Sequence, residues 1–323
     1  MGMKQTVSKT GRFFPSDISG FLAALSAYVI WGVFPLYMKA VAHIPVMEVV
    51  VHRIVWSVPL ALLVIIAIGH VRDLWVALKS LKMLAMACLT SALITANWSI
   101  YIWAIANNHA VDAALGYYIN PLFNVMLGLI FLRERLNGVQ WCAVGLAVVA
   151  VLILTINAGG LPWVAMLLPV TFGFYAFFRK SLPIGPTEGF ALETLIMVIP
   201  AMVVAGYFIA SGHDHFFHGS WQDVGLLILA GPFTAIPFIL FAVGAKTLNL
   251  TTLGLMQYLT PTFLFFIAIF VFHEPFSLVQ LGAFSLIWIG LIIYTGASFS
   301  AMRHKSHQET IIELKTPLKR HRK

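Results

Sequence analysis

Leu115-Gly116-Tyr117-Tyr118-Ile119-Asn120-Pro121-Leu122-Phe123 returns later in the chain as Leu255-Met256-Gln257-Tyr258-Leu259-Thr260-Pro261-Thr262-Phe263. The leucine, tyrosine, proline and phenylalanine keep their places. The register extends to Glu134 and Gln140, matched by Glu274 and Gln280, every pair 140 residues apart. Earlier in each half, Gly32, Lys39, Pro45 and Pro59 return as Gly173, Lys180, Pro186 and Pro200, 141 residues apart. Two registers differing by one residue are one duplication with a single insertion or deletion in a loop. Ten matches in two consistent registers make chance a poor explanation.

What is duplicated is too apolar to be a globule in water. Of 323 residues, 60% are hydrophobic and 10% charged, against roughly a quarter charged in a soluble domain. Lipid must therefore solvate much of the outer face. A helix needs about 20 apolar residues to cross roughly 30 Å of hydrocarbon. Ten such runs are read, at about 18–38, 46–68, 82–106, 111–132, 138–156, 161–178, 188–210, 221–245, 252–272 and 276–298. The first is too long for a signal-peptide core and has no clear cleavage site, so it reads as a retained helix.

Basic residues set the orientation. With the N-terminus inside, 18 of the 20 Lys and Arg residues fall on the cytoplasmic side, leaving Lys39 outside and Arg53 within a span. That bias puts both termini in the cytoplasm and requires an even number of spans. The net charge of +8 is thus a topology signal; nucleic acid binding is not expected, since the aromatic residues lie inside apolar runs. Cys88 and Cys142 sit in apolar runs with neither CxxC nor metal-ligand spacing.

Each copy holds five spans, an odd number, so the second copy must be inverted relative to the first. The expected fold class is all-α integral membrane, ten transmembrane helices as two inverted five-helix repeats. Its parts are a cytoplasmic N-terminal tail (1–17), the first repeat (18–156), the second (161–298) and a basic cytoplasmic tail (299–323). Inverted repeats place binding sites at the repeat interface near mid-depth. This argues for a carrier rather than a receptor or an enzyme.

Further segments carry a resemblance: Ala27-Tyr28-Val29-Ile30-Trp31-Gly32, His52-Arg53-Ile54-Val55-Trp56-Ser57, and Asn97-Trp98 followed by Tyr101-Ile102-Trp103-Ala104. They continue through Leu115 to Leu122, Leu192-Glu193-Thr194, and Leu253 to Tyr258. Taken together, over about residues 18–298, these resemble the drug/metabolite transporter superfamily and, within its EamA-like transporters, the RarD type. The resemblance implies a ten-helix fold of inverted repeats, secondary transport and a place in the bacterial inner membrane.

Candidate substrate-binding residues follow from what hydrocarbon will not tolerate. Arg53 lies inside the second span, where an arginine costs at least ~2.5–3.5 kcal/mol on insertion scales. It reads as a cation facing a hydrated cavity, against snorkelling or a fixed ion pair. Glu193, inside the seventh span, is the coupling candidate, against a rim carboxylate in water; Glu48 and Glu188 read as interfacial. Asn97, Asn120 and Gln257 offer a polar lining, against plain interhelical hydrogen bonds worth about 0.6 kcal/mol. Pro121 and Pro261 are expected to kink their helices and free backbone carbonyls. Trp98, Tyr101, Tyr118 and Tyr258 are expected to face the cavity, where rings suit amphipathic solutes. Trp103 and Trp221 read as interfacial anchors.

Phosphate loops, a nucleophile elbow and HExxH are absent. No enzyme activity, no cofactor and no metal site are expected, and the histidines of the loop around Asp214 read as incidental. The expected function is alternating-access transport, export in direction, of a small amphipathic metabolite or drug. The bilayer and that solute are its partners, and spans five and ten supply scaffold or homodimer contact. The rivals are an intramembrane enzyme and a non-transporting scaffold or sensor.

Overall fold

The computed structural model describes residues 16–107, 109–273 and 277–315, with side chains described between 18 and 297 apart from 105, 106, 110 and 111. The repeat partner Glu274, most of the N-terminal tail and residues 316–323 lie outside the described residues. All described elements are helices: α1 (Ser16–Ala40), α2 (Val46–Ala67), α3 (Val71–Lys79), α4 (Leu81–Ala106), α5 (Ala110–Phe131) and α6 (Gly138–Asn157). There follow α7 (Trp163–Ser181), α8 (Pro186–Ser211), α9 (Trp221–Thr247), α10 (Leu250–Met256), α11 (Leu259–Phe270) and α12 (Leu278–Lys315).

Nine helical segments among the described residues are long and apolar enough to cross a membrane, with α10 and α11 counted as one and α12 entering through 278–297. The chain is a multi-pass membrane protein. The expected sixth span, α7, is not among the nine. Thr171, Gly173, Tyr175, Arg179 and Lys180 dilute it, and its inward face, including Phe172, Tyr175 and Arg179, is buried by neighbouring helices. A helix wrapped by other helices needs less apolar surface than one wrapped by lipid.

The duplicated residues have local reasons. Gln140 and Gln280 each close a reciprocal cap at the start of α6 and α12. Asn137 Oδ1 accepts from Gln140 N at 2.8 Å, and Ser277 Oγ from Gln280 N at 3.1 Å. Each glutamine Oε1 in turn accepts the backbone N–H of its cap residue. These bonds satisfy orphan donors that lipid cannot. Gly32 and Gly173 make room for Phe263 and Phe123: a Cβ would lie 2.6 Å from Phe263 Cβ in the first case and 2.3 Å from Phe123 Cδ1 in the second.

Pro261 interrupts its helix between α10 and α11, at Gln257–Tyr258. Gln257 is the residue whose carbonyl a proline ring at 261 crowds. By contrast, α5 runs unbroken through Pro121. The short α3 was not foreseen; it is amphipathic, burying Leu74 and Ala77 while Trp75 and Val76 stay exposed.

Helix ends that meet divide the molecule into two poles. At one, Lys39 lies over Phe272 at 4.1 Å and His43 bonds Asp223 at 2.7 Å. Here the loop before α9 also reaches α2, where Glu48 accepts from His215 N at 2.6 Å. At the other pole, Glu134 accepts from the N–H groups of Leu250 and Thr251 at 2.6 and 2.9 Å, capping α10. Lys180 donates to the carbonyls of Ala245 (3.1 Å) and Leu248 there, at the C-terminal end of α9. Helices α1, α2, α4, α5, α7, α8 and α9 surround the centre, while α6 and α12 pack on each other around a separate core at the edge.

Candidate functional site

A cavity of about 540 Å³ lies between the two halves, within the range of roughly 300–1,000 Å³ typical of small-molecule sites. α1 brings Trp31, Phe34 and Lys39 to it, α2 Arg53, α4 Asn97, Trp98 and Tyr101, and α5 Tyr117. The second half contributes Phe172, Phe238, Gln257, Thr260 and Pro261. Its rim at the Lys39 pole includes the exposed Lys39 and Val46.

Arg53 stands about two turns into α2, and its Nε donates to Thr234 Oγ1 at 2.9 Å, midway along α9. Its guanidinium lies 4.9 Å from the ring centres of both Phe34 and Trp98. An aromatic face under a cation stabilises it by ~0.5–2 kcal/mol, more as the cation loses water. Among the described residues no carboxylate pairs with it, and no acidic side chain lines the cavity. The arginine is held by one hydroxyl and two rings, with its terminal nitrogens left for something else.

Of the residues expected at the site, Arg53, Asn97, Trp98, Tyr101 and Gln257 are brought together here. Asn97 also ties α4 to α7, its Nδ2 donating to Leu168 O and Thr171 Oγ1, both at 2.9 Å. Gln257 Oε1 accepts from Asn124 Nδ2 at 2.9 Å. Tyr118, Asn120 and Tyr258 lie elsewhere. Tyr118 packs edge-on against Phe284 of α12, Tyr258 is buried in the core that α6 and α12 share, and Asn120 is buried away from the lining. Neighbouring positions on a helix point about 100° apart, so Tyr117 rather than Tyr118 reaches the cavity, edge-on to Tyr101.

Glu193 is 1% exposed, not a rim carboxylate. Arg179 Nη1 lies 3.4 Å from its Oε1, and Tyr175 OH donates to Oε2 at 3.2 Å. Arg179 is itself 1% exposed, and its Nη2 donates to Pro186 O at 2.7 Å. Sequence reasoning missed Arg179, counting it with Lys180 as a basic helix end. A void of about 10 Å³, room for about one water, adjoins Glu193. Trp98 and Phe238 line both this void and the large cavity, forming the partition between them.

Glu48 and Glu188, in the first turns of α2 and α8, are buried by neighbouring side chains. Glu48 pairs with His215 Nδ1 at 2.8 Å, and Glu188 with His70. Within the loop before α9, His218 bonds Asp214 at 2.6 Å. Burial alone would raise the Asp214 carboxyl, but the Phe217 N–H and His218 hold it below the ordinary aspartate range. His215 and His218 are spent on carboxylates, and the His215–Glu48 pair fastens the loop to α2.

Comparison with known proteins gives the family and the likeness of fold. A model of the EamA-like transporter family matches residues 18–156. The chain is similar to the uncharacterized transporter YojE of Bacillus subtilis (strain 168), 39% identical over 296 residues, 89% of this chain and 97% of that one. It is 36% identical over 302 residues to protein RarD of Streptomyces exfoliatus, covering 93% and 94% of the two chains. A solved crystal structure, 18% identical, superposes with a TM-score of 0.67 over 86% of this chain and 96% of the other, a likeness of fold alone.

Proposed function

The chain belongs to the EamA-like transporter family, among its RarD-type members, and on that premise we propose that this membrane transporter is a secondary carrier of a small amphipathic solute, working by alternating access between two inverted five-helix repeats. One observation carries the reading. An aromatic and polar cavity opens at one pole, and the other pole is closed by contacts that include a lysine clasp whose repeat counterpart is unmade.

The lysine pair makes this concrete. Lys39 and Lys180 occupy equivalent places in the duplication. Lys180 clasps the C-terminal carbonyls of α9, where the helix dipole favours a cation, whereas Lys39 sits free at the cavity mouth over Phe272. In the opposite state Lys39 clasps the C-terminal end of α4 and Lys180 lets go. The helix pairings support the same symmetry. α1 packs on α9 and α11, and their repeat counterparts, α7 with α4 and α5, pack likewise; the pairs α2 with α8 and α6 with α12 map onto themselves. In the proposed orientation both termini are cytoplasmic, the Lys39 pole faces outward across the cell membrane, and transport runs as export.

Access to the closed pole tests the clasp. In a Cys88→Ser, Cys142→Ser background, a cysteine replacing the fully buried Ala245 is expected to react severalfold faster with a water-soluble thiol reagent when Lys180→Met is added. Lys39→Met is expected to slow it, because the alternate state loses its own clasp. Equal rates in all three would count against exchange of the lysines.

Transport itself is tested in proteoliposomes. Saturable uptake from a panel of amphipathic metabolites and drugs is expected to fall about tenfold or more in Arg53→Ala, corresponding to ~1.4 kcal/mol or more of lost binding. Full uptake in that variant would remove the cavity from the transport path.

A further inference from the structure

Resting on the carrier reading, we propose that the transported solute is an anion: a carboxylate on an aromatic or amphipathic body, whose acid group takes the terminal nitrogens of Arg53. Two arginines stand among the helices, Arg179 fully buried and Arg53 half-buried at the cavity. Arg179 has its counter-charge built in, since Glu193 lies 3.4 Å away and both are almost fully buried. Arg53 has none among the described residues: its Nε is spent on Thr234, and its guanidinium carbon lies over the rings of Phe34 and Trp98. A guanidinium in a low-dielectric site is retained at a cost unless an anion completes it. Here the protein supplies everything except that anion.

The rest of the cavity points the same way. Lys39 stands at its mouth, and its lining contains no aspartate or glutamate. An incoming anion meets a cation at the entrance and a second at the end, and nothing repels it. A cationic amphipath would meet the same two charges with no compensating carboxylate. Among the described residues Arg53 spends its Nε on Thr234 and no hydrogen bond occupies its terminal nitrogens, and a planar fork suits a bidentate carboxylate. Trp31, Tyr101, Tyr117 and Phe238 surround the space beyond, so the solute body is matched by ring faces. The volume of about 540 Å³ accommodates one or two rings with a short acidic arm.

The test holds the ring constant and changes only the charge. Phenylacetate, phenylacetamide and phenethylamine, and the corresponding indole acid, amide and amine, are titrated at neutral pH into the purified full-length protein and offered to proteoliposomes. In at least one series the acid is expected to bind about tenfold or more tightly than its amide, and the amine more weakly than either. Arg53→Gln is expected to bring the acid-to-amide ratio to about one while keeping amide affinity, which also reports that the variant is folded; Arg53→Lys should keep part of the ratio. No preference for the acid in either series, or a preference unchanged in Arg53→Gln, overturns the proposal. Saturable flux of amide or amine without preference for the acid would sink the anion and leave the carrier standing. Selective acid binding with no flux would do the reverse.

Discussion

Replacing Glu193 with alanine is expected to destabilise the folded protein by about 3–5 kcal/mol, the penalty for leaving one charge of a buried pair without its partner. Arg179 is 1% exposed and would be left with the carbonyl of Pro186 as its hydrogen-bond acceptor. Tyr175, which donates to Glu193 at 3.2 Å, would lose its acceptor as well. A substitution that removes both charges is different in kind. Arg179→Met with Glu193→Leu exchanges an ion pair for apolar side chains of similar volume, and such exchanges are often neutral. The double variant is therefore expected to be more stable than Glu193→Ala, by thermal unfolding in a fixed detergent or lipid. If it is as unstable as the single variant, the charge is not what matters there. The same pairing bears on the coupling role read for Glu193 from the sequence. Protonating it would leave Arg179 uncompensated, so we propose it instead as the lock of the closed pole. A pH dependence of transport that disappears in Glu193→Gln would restore the coupling role.

Much of this was legible before any coordinates, and the reasons are specific. The spans could be read because hydrocarbon demands long apolar runs. Arg53 could be read because a charge inside such a run is rare enough to demand a purpose. The duplication flagged Gln140 with Gln280 and Gly32 with Gly173, but not that they cap helices and admit phenylalanines. Arg179 was hidden because a basic residue beside Lys180 at the end of an apolar run is the ordinary mark of a cytoplasmic boundary. Its burial comes from α8 folding over it, where Gly189 leaves the space: a Cβ there would lie 2.1 Å from Arg179 Nη1. Glu193 was the available clue, because a carboxylate among helices needs a cation and Arg179 is nearby in sequence. Tyr118 and Tyr258 show the opposite problem. Recurrence within a duplicated chain marks what the fold reuses, and here that is the packing core under α6 and α12. Helical phase, which tells Tyr117 from Tyr118, is settled by tertiary packing and not by a list of recurring residues.

Gly32→Ala is expected to be costlier than Gly173→Ala, although the two glycines are repeat equivalents. A Cβ at 32 would lie 2.6 Å from the Cβ of Phe263, an atom tied directly to the backbone of α11, so relief requires α1 and α11 to separate. A Cβ at 173 would instead meet ring atoms of Phe123, at 2.3 and 2.8 Å, and a ring can pivot about its χ angles while the helices stay in place. Overpacking a tight contact costs about 1–3 kcal/mol, and the upper part of that range is expected at position 32. The difference has a functional side in the proposed cycle, where the two contacts exchange roles as the poles open and close. Gly32→Ala then penalises the state open at the Lys39 pole, and a population shift toward the opposite state follows from that differential cost. Two measurements check this. Thermal unfolding should rank wild type above Gly173→Ala and Gly173→Ala above Gly32→Ala, and labelling of the Ala245→Cys reporter should accelerate in Gly32→Ala. Adding Phe263→Ala should restore part of the loss, so that the double variant is more stable than the sum of the single effects. Equal stability of the two alanine variants, with no rescue by Phe263→Ala, would mean that α1 and α11 are not held as closely as their glycine contact requires.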